Sequence, residues 1–267
     1  MRAYLSYFKL KFISGLQYRQ AAYAGIATQF FFGFVYIMIY VAFYQSGGKS
    51  LPMELPQLIT YVWLNQAFFA LICQFYKDSE LFTLIKTGNI SYEFSRPKSI
   101  YFLWYFKILG QRLATVVLRF IPLFIVTLLL PKPYNFGMPI SPLAFLIFLI
   151  SMIIGTLLIT ALTVFYPIIT LATLNEKGIT NILIVIADLF SGIGIPLVFF
   201  PKLLLKVSSV LPFQYISDLP FRIYVGNIPV SACIKPMIIQ FIWLILLILI
   251  GQLLLRIIIK RVEVQGG

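Results

Sequence analysis

Histidine is absent from this 267-residue chain. That removes the commonest general base and the commonest nitrogen ligand for metals. Acids are scarce as well, with 8 Asp and Glu against 21 Lys and Arg. Only 11% of residues are charged, where an ordinary soluble domain carries about a quarter. Cysteine occurs twice, at Cys73 and Cys233. On the topology below these fall near opposite membrane faces, so they read as small apolar residues and not as a disulfide. No Gly-x-x-x-x-Gly-Lys-[Ser/Thr] run occurs, so there is no phosphate loop with which to hold a nucleotide. A membrane enzyme would need a histidine, paired carboxylates or a metal cluster at one face, and none is visible. The first 20 residues carry Arg2, Lys9, Lys11 and Arg19 without an uninterrupted apolar core, so they do not read as a cleaved signal.

What is present is apolar surface. Hydrophobic residues make up 61% of the chain and aromatic residues 17%. Several apolar stretches reach about 20 residues, the length that crosses about 30 Å of hydrocarbon as a helix. They are continuous and not alternating, which excludes a β-barrel. The expected fold is therefore all-α and integral to the membrane, as one transmembrane domain over 1–267. A segment at 1–20 precedes six spans at 21–44, 58–75, 103–130, 142–171, 179–199 and 233–258. The third is too long for a simple crossing, and its first part, with Lys107, Gln111 and Arg112, is expected in the headgroup zone. The net charge of +13 is spread among the spans, which suits anionic lipid headgroups and not nucleic acid.

Charge asymmetry sets the expected orientation. With both termini in the cytoplasm, the inner side holds Arg2, Lys9, Lys11, Arg19, Lys77, Lys86, Arg96, Lys98, Lys107, Arg112, Lys177, Arg256, Lys260 and Arg261. The outer side holds fewer: Lys49, Lys132, Lys202, Lys206, Arg222 and Lys235. In the N-terminal segment Leu5, Phe8, Phe12 and Leu16 recur at helical spacing, which predicts an interfacial helix with Lys9 and Arg19 snorkelling at its edge.

A polar island interrupts the apolar sequence between spans two and three, from Lys77 to Lys98. Asp78 or Ser79 is a suitable N-cap, Glu80 suits a first turn, and Lys86 suits a last turn. Gly88 is a natural helix stop, and Pro97 prevents simple continuation. Leu81, Phe82, Leu84 and Ile85 supply an apolar face. The pattern predicts a helix of two or three turns under the membrane, serving either as a contact surface or as an amphipathic cover for the bundle. The other inner connection, Leu174 to Gly178, is short and polar.

The order of a basic interfacial helix, two spans, an inner helix, four more spans and a long outer segment before the last resembles the permease subunit of an ABC-2 type transporter. Leu84-Ile85-Lys86-Thr87-Gly88-Asn89-Ile90 through Phe94-Ser95-Arg96-Pro97 resembles that family's Gly…Arg-Pro region after span two. The outer segment also fits, with Gly194-Ile195-Pro196, Phe199-Phe200-Pro201, Leu211-Pro212-Phe213 and Asp218-Leu219-Pro220. The branch it resembles is the two-permease one, of uncharacterised or drug-exporter-like systems. The resemblance implies a plasma-membrane exporter subunit driven by a separate cytosolic ATPase dimer, working beside a second permease in the lipid bilayer. ATP and magnesium would then sit on the ATPase, with no cofactor in this chain. It implies ATPase contact at Asp78, Ser79, Glu80, Phe82, Lys86, Gly88 and Arg96, with Glu176 and Lys177 from the second inner loop. It also implies re-entrant outer helices around Gly192, Gly194, Pro196, Pro201 and Pro212; the residues Ser191 to Pro196 by themselves break the helix near the outer end of span five, as a re-entrant turn lining a pathway or as a kinked span end. The cargo expected is amphipathic: a drug, a peptide or a lipid-like molecule. The alternatives are a secondary transporter, which would need more intramembrane coupling charges, and a non-catalytic membrane assembly protein.

Asp188 is the one acid expected inside a span, and Arg119 the matching base. Both fall about 10–12 Å from the inner boundary at about 1.5 Å per residue. They read as a functional pair or as a structural one, and Asp188 is expected to matter more than Asp218 in the outer segment. The aromatics of spans one and two, such as Phe31 and Phe32, face lipid, a partner permease or an apolar substrate.

Overall fold

A computed structural model describes residues 2–46, 51–95, 98–175 and 177–260. Lys49, Arg96, Pro97, Glu176 and Arg261 lie outside the described residues. All regular structure among the described residues is helical. Among the described residues eleven α-helices follow in order: α1 Arg2–Leu16, α2 Arg19–Gln45, α3 Leu55–Ile72, α4 Ser79–Lys86, α5 Ser91–Phe94, α6 Ile100–Leu129, α7 Pro142–Thr173, α8 Gly178–Leu189, α9 Lys202–Val210, α10 Asp218–Tyr224 and α11 Ile234–Ile259. Single 3-10 turns lie at Leu197–Phe199, Phe213–Tyr215 and Val230–Ala232.

Five of these helices are long and apolar enough to cross a membrane: α2, α3, α6, α7 and α11. They correspond to five of the six expected spans. The expected span at 179–199 is not one helix. α8 has 12 residues, about 18 Å at 1.5 Å per residue, short of the ~30 Å hydrocarbon layer. It stops at Leu189, and Gly192 then takes a left-handed φ of +81°, which no continuing helix tolerates.

Local chemistry sets the helix ends. Ser141 caps α7 by accepting from the Ala144 N–H at 3.1 Å, with Pro142 in the first turn. Glu54 and Gln57 form a capping box at the start of α3. α3 is the most enclosed of the long helices, flanked by α2, α6 and α7. Tyr61, Trp63, Trp104 and Tyr166 are fully buried around it and its neighbours. α2 and α11 instead keep broad apolar faces exposed, including Phe31, Phe32, Ile245 and Leu249, as a lipid-facing helix would.

α1 lies along α6 at very short range. A Cβ on Gly110 would sit 2.8 Å from the Phe8 carbonyl oxygen, so the two backbones touch there. The expected stripe is partly confirmed. Phe8 packs on the core and stacks with Phe12, but Leu5 points outward and Tyr4 takes its place against Phe106.

Candidate functional site

α1, α4, α5 and the start of α6 gather at one end of the bundle. Asp78 is the N-cap of α4, accepting from the Leu81 N–H at 3.0 Å. Gly88, at φ +74°, ends the helix and donates to the Ile85 carbonyl at 3.3 Å. Leu81, Phe82 and Ile85 are buried, while Ser79, Glu80, Thr83, Lys86 and Thr87 remain exposed. Phe82 packs with Tyr166 of α7 and Ile184 of α8. Lys77, just before α4, donates to Asn181 of α8 at 2.9 Å.

A chain of charges clamps this helix. Lys107 of α6 is buried and sits 3.1 Å from the Asp78 carboxylate and 2.9 Å from that of Glu80. Glu80 also meets Lys11 of α1 at 2.8 Å. One carboxylate thus joins three helices. Partial burial pushes the Glu80 carboxyl up, but the hydrogen bonds from Lys11 and Lys107 outweigh it and hold the group below its ordinary value. Arg112, one turn beyond Lys107, is fully buried. It donates to the Leu71 carbonyl at 2.7 Å, to the Cys73 carbonyl at 3.1 Å and to Thr163 at 2.8 Å, and it covers the Tyr76 ring. It therefore caps the C-terminus of α3, where the helix dipole favours a cation. Lys107 and Arg112 were expected among headgroups. The structure encloses them in protein, because the loop after α3 and helix α4 close over them.

The opposite end carries the long 190–233 segment. Asp218, at the start of α10, is buried. It accepts from the Tyr61 hydroxyl at 2.9 Å and the Leu197 N–H at 3.2 Å, and pairs with Arg222 at 3.4 Å. Ser217 donates to the Ser191 carbonyl at 2.7 Å, and Tyr61 also donates to the Gly192 carbonyl at 3.0 Å. The carbonyls freed where α8 stops are thus bound by α3 and by the turn into α10. A Cβ on Gly192 would fall 2.7 Å from the Tyr61 hydroxyl. Nearby, Gln240 of α11 donates to the carbonyls of Ser151 at 2.8 Å and Tyr215 at 2.7 Å, tying α11, α7 and this segment together.

A cavity of about 270 Å³ opens between α2, α3 and the end of α8. Thr28, Gln29, Phe32 and Tyr36 line it from α2, and Gln66 and Phe69 from α3. Phe75, Asp188, Ile193 and Gly194 complete it. Gln29 is buried, and its amide has no hydrogen-bond partner.

The expected site residues therefore divide. Asp78, Ser79, Glu80, Phe82, Lys86 and Gly88 come together on α4, and Lys177 lies at the start of α8 beside it. Phe82 and Asp78 turn inward, however, leaving Ser79, Glu80, Lys86 and Gly88 at the surface. Gly192, Gly194 and Pro196 form the break after α8, Pro201 precedes α9, and Pro212 begins the turn before α10. Among the described residues no ion pair joins Arg119 to Asp188. Asp188 faces the cavity just described, while Arg119 lines a separate one beside Lys11 and Tyr18. Sequence reasoning missed Lys107, Arg112 and Tyr61 as interior polar groups. Asp218, in the outer segment, is far more enclosed than Asp188. The spacing of Lys107 and Arg112 ahead of a long apolar run carried the only available signal.

A family model described as "ABC-2 family transporter protein" matches residues 26–266. No curated protein and no solved structure matches the chain significantly.

Proposed function

The chain belongs to the ABC-2 family of transporter proteins, and from that premise we propose that it is the membrane-spanning permease subunit of an ATP-driven exporter. Permeases of this family normally work with an ATPase partner. In this reading α4 is the coupling helix, and the end of the bundle that carries it faces the cytoplasm of the plasma membrane. A cytosolic ATPase dimer with its own ATP and magnesium pushes on the exposed side of α4, near Ser79, Thr83 and Lys86, and on the start of α8 near Lys177. The observation that carries the reading is the clamp. A short helix with an exposed polar face is fixed to α1 through Lys11 and to α6 through Lys107. A push on it would move the spans with it instead of bending a loop.

α8 and the break after it complete a sixth crossing in this reading. The 190–233 segment dips into the outer leaflet, where α9 presents Leu203, Val207 and Val210. A second permease covers part of the exposed apolar surface of the spans. The cargo is amphipathic, and the cavity beneath the break lies on its path.

The test is co-purification of the full chain from native membranes. Wild type should bring down a cytosolic ABC ATPase. The double substitution Thr83→Arg with Lys86→Glu changes the outer face of α4 and leaves the clamp intact. It should lose the ATPase while the permease still elutes as a single species. Undiminished ATPase association in that variant would sink the contact assignment.

A further inference from the structure

The geometry points to a compact amphipathic organic cation as the ligand of the cavity between α2, α3 and the end of α8. This inference rests on the reading of that cavity as part of the transport path. Among the described residues, Asp188 is the only charged one that lines it. Asp188 forms no ion pair among the described residues, although the chain as a whole carries an excess of cations. An unpaired carboxylate at this depth between helices calls for a counter-charge. The cation expected as its partner, Arg119, lines a different cavity.

A second observation is independent of the charge. Gln29 is only 3% exposed, and both polar atoms of its amide lack a hydrogen-bond partner. Buried amides are otherwise almost always satisfied. An amide that lines a cavity while unsatisfied has the character of a group waiting for a ligand or for ordered water. Gln66 adds a further polar group on the α3 side.

Most of the remaining wall is aromatic. Phe32, Tyr36, Phe69 and Phe75 line the same cavity as the carboxylate, with Thr28, Ile193 and Gly194 filling the gaps. Aromatic faces accept both flat apolar rings and positive charge. The volume of about 270 Å³ falls just under the ~300 Å³ at which ligand sites begin, so it suits a compact ligand. An anion would meet the Asp188 carboxylate, and a neutral lipid would leave it unpaired. A ring system bearing one positive charge and a hydrogen-bonding group matches every wall at once.

Equilibrium dialysis of the purified full chain, without ATP, tests this with ethidium, tetraphenylphosphonium and the anion fluorescein. Wild type should bind both cations and not fluorescein. Asp188→Asn should weaken both cations at least about tenfold, and Asp188→Glu should restore most of the loss. Gln29→Leu should weaken ethidium, which carries amine donors, several-fold, and should spare tetraphenylphosphonium, which carries none. Arg119→Gln, in the other cavity, should change neither. Failure of wild type to bind either cation, or equal binding by wild type and Asp188→Asn, overturns the proposal. If Asp188→Asn does not fold, the selective effect of Gln29→Leu decides, and a loss equal for both cations counts against the site. ATP-driven uptake of ethidium into inverted vesicles is measured separately. Asp188-dependent binding without uptake would leave the site standing and reject the transport reading.

Discussion

Asp78 and Asp218 are both buried carboxylates, at opposite ends of the same bundle, and they are stabilised in opposite ways. Asp78 caps its own helix and meets a buried lysine from another. Asp218 is held chiefly by a tyrosine hydroxyl and a backbone N–H, with Arg222 at the longer distance of 3.4 Å. At the α4 end, charge ties separate helices into one unit. At the α10 end, a single carboxylate takes up polar groups around a broken helix. The first arrangement suits a lever and the second a joint.

The sharpest way to break this comparison is to remove the cation from the α4 end. Lys107→Met leaves Asp78 buried without its counter-charge, and an orphaned buried charge costs about 3–5 kcal/mol. The melting temperature in detergent should fall by many degrees. Lys107→Met combined with Asp78→Asn should recover part of the loss, and a strictly additive double mutant would dissolve the clamp.

Asp218→Ala should cost somewhat less, about 2–3 kcal/mol, because it strands mainly neutral donors, Tyr61 and the Leu197 N–H. Asp218→Asn keeps one acceptor oxygen and should cost less than half as much. Asp188→Asn, on a half-buried group facing a cavity, should leave stability nearly unchanged. Equal melting points for the Asp218 and Asp188 variants would remove the joint from the comparison.

Glycine sharpens the picture further. Gly192→Ala places a side chain at φ +81° and against Tyr61, and should cost about 1–2 kcal/mol or more. Gly194→Ala has open space around its Cβ and should cost under ~1 kcal/mol. Thermal unfolding of the two single variants compares them directly.

The smallest effect belongs to Glu80, whose side chain is 54% exposed. Glu80→Gln should cost less than ~1 kcal/mol, since solvent screens such pairs. Its sign with pH is fixed. The folded-state value is lowered from 4.5, so the stabilisation is complete above that value and is lost as pH falls through the lowered one. Wild type should therefore lose its margin over Glu80→Gln only in acid. An advantage that vanished on the alkaline side instead would contradict the pairing with Lys11 and Lys107.

Much of this was legible in the residues themselves. Asp78, Lys86 and Gly88 fall at cap, last turn and stop, because those requirements are local and act over one helical turn. Five spans were legible for the same reason, since a run of about 20 apolar residues has one low-energy form in hydrocarbon. Span five was not. Its composition from Ile179 to Phe199 is as apolar as the others, and only Gly192, Gly194 and Pro196 marked the point where the helix yields. The partners of Phe82, Tyr166 and Ile184, were also hidden, because an apolar residue on an amphipathic helix does not name its neighbours.

The sequence by itself determined the class of the molecule, the places of its five long apolar helices and the start and stop of the short helix between α3 and α6. These follow from hydropathy, length and capping, which depend on residues close along the chain. Only the tertiary structure decided which charges are interior. Lys107 and Arg112 look like headgroup residues until the turn after α3 and helix α4 cover them. Asp218 looks like a loop acid until Tyr61, more than 150 positions earlier, reaches it. A buried charge is stable only with its partners in place, and those partners lie far away in sequence, where no local pattern can announce them.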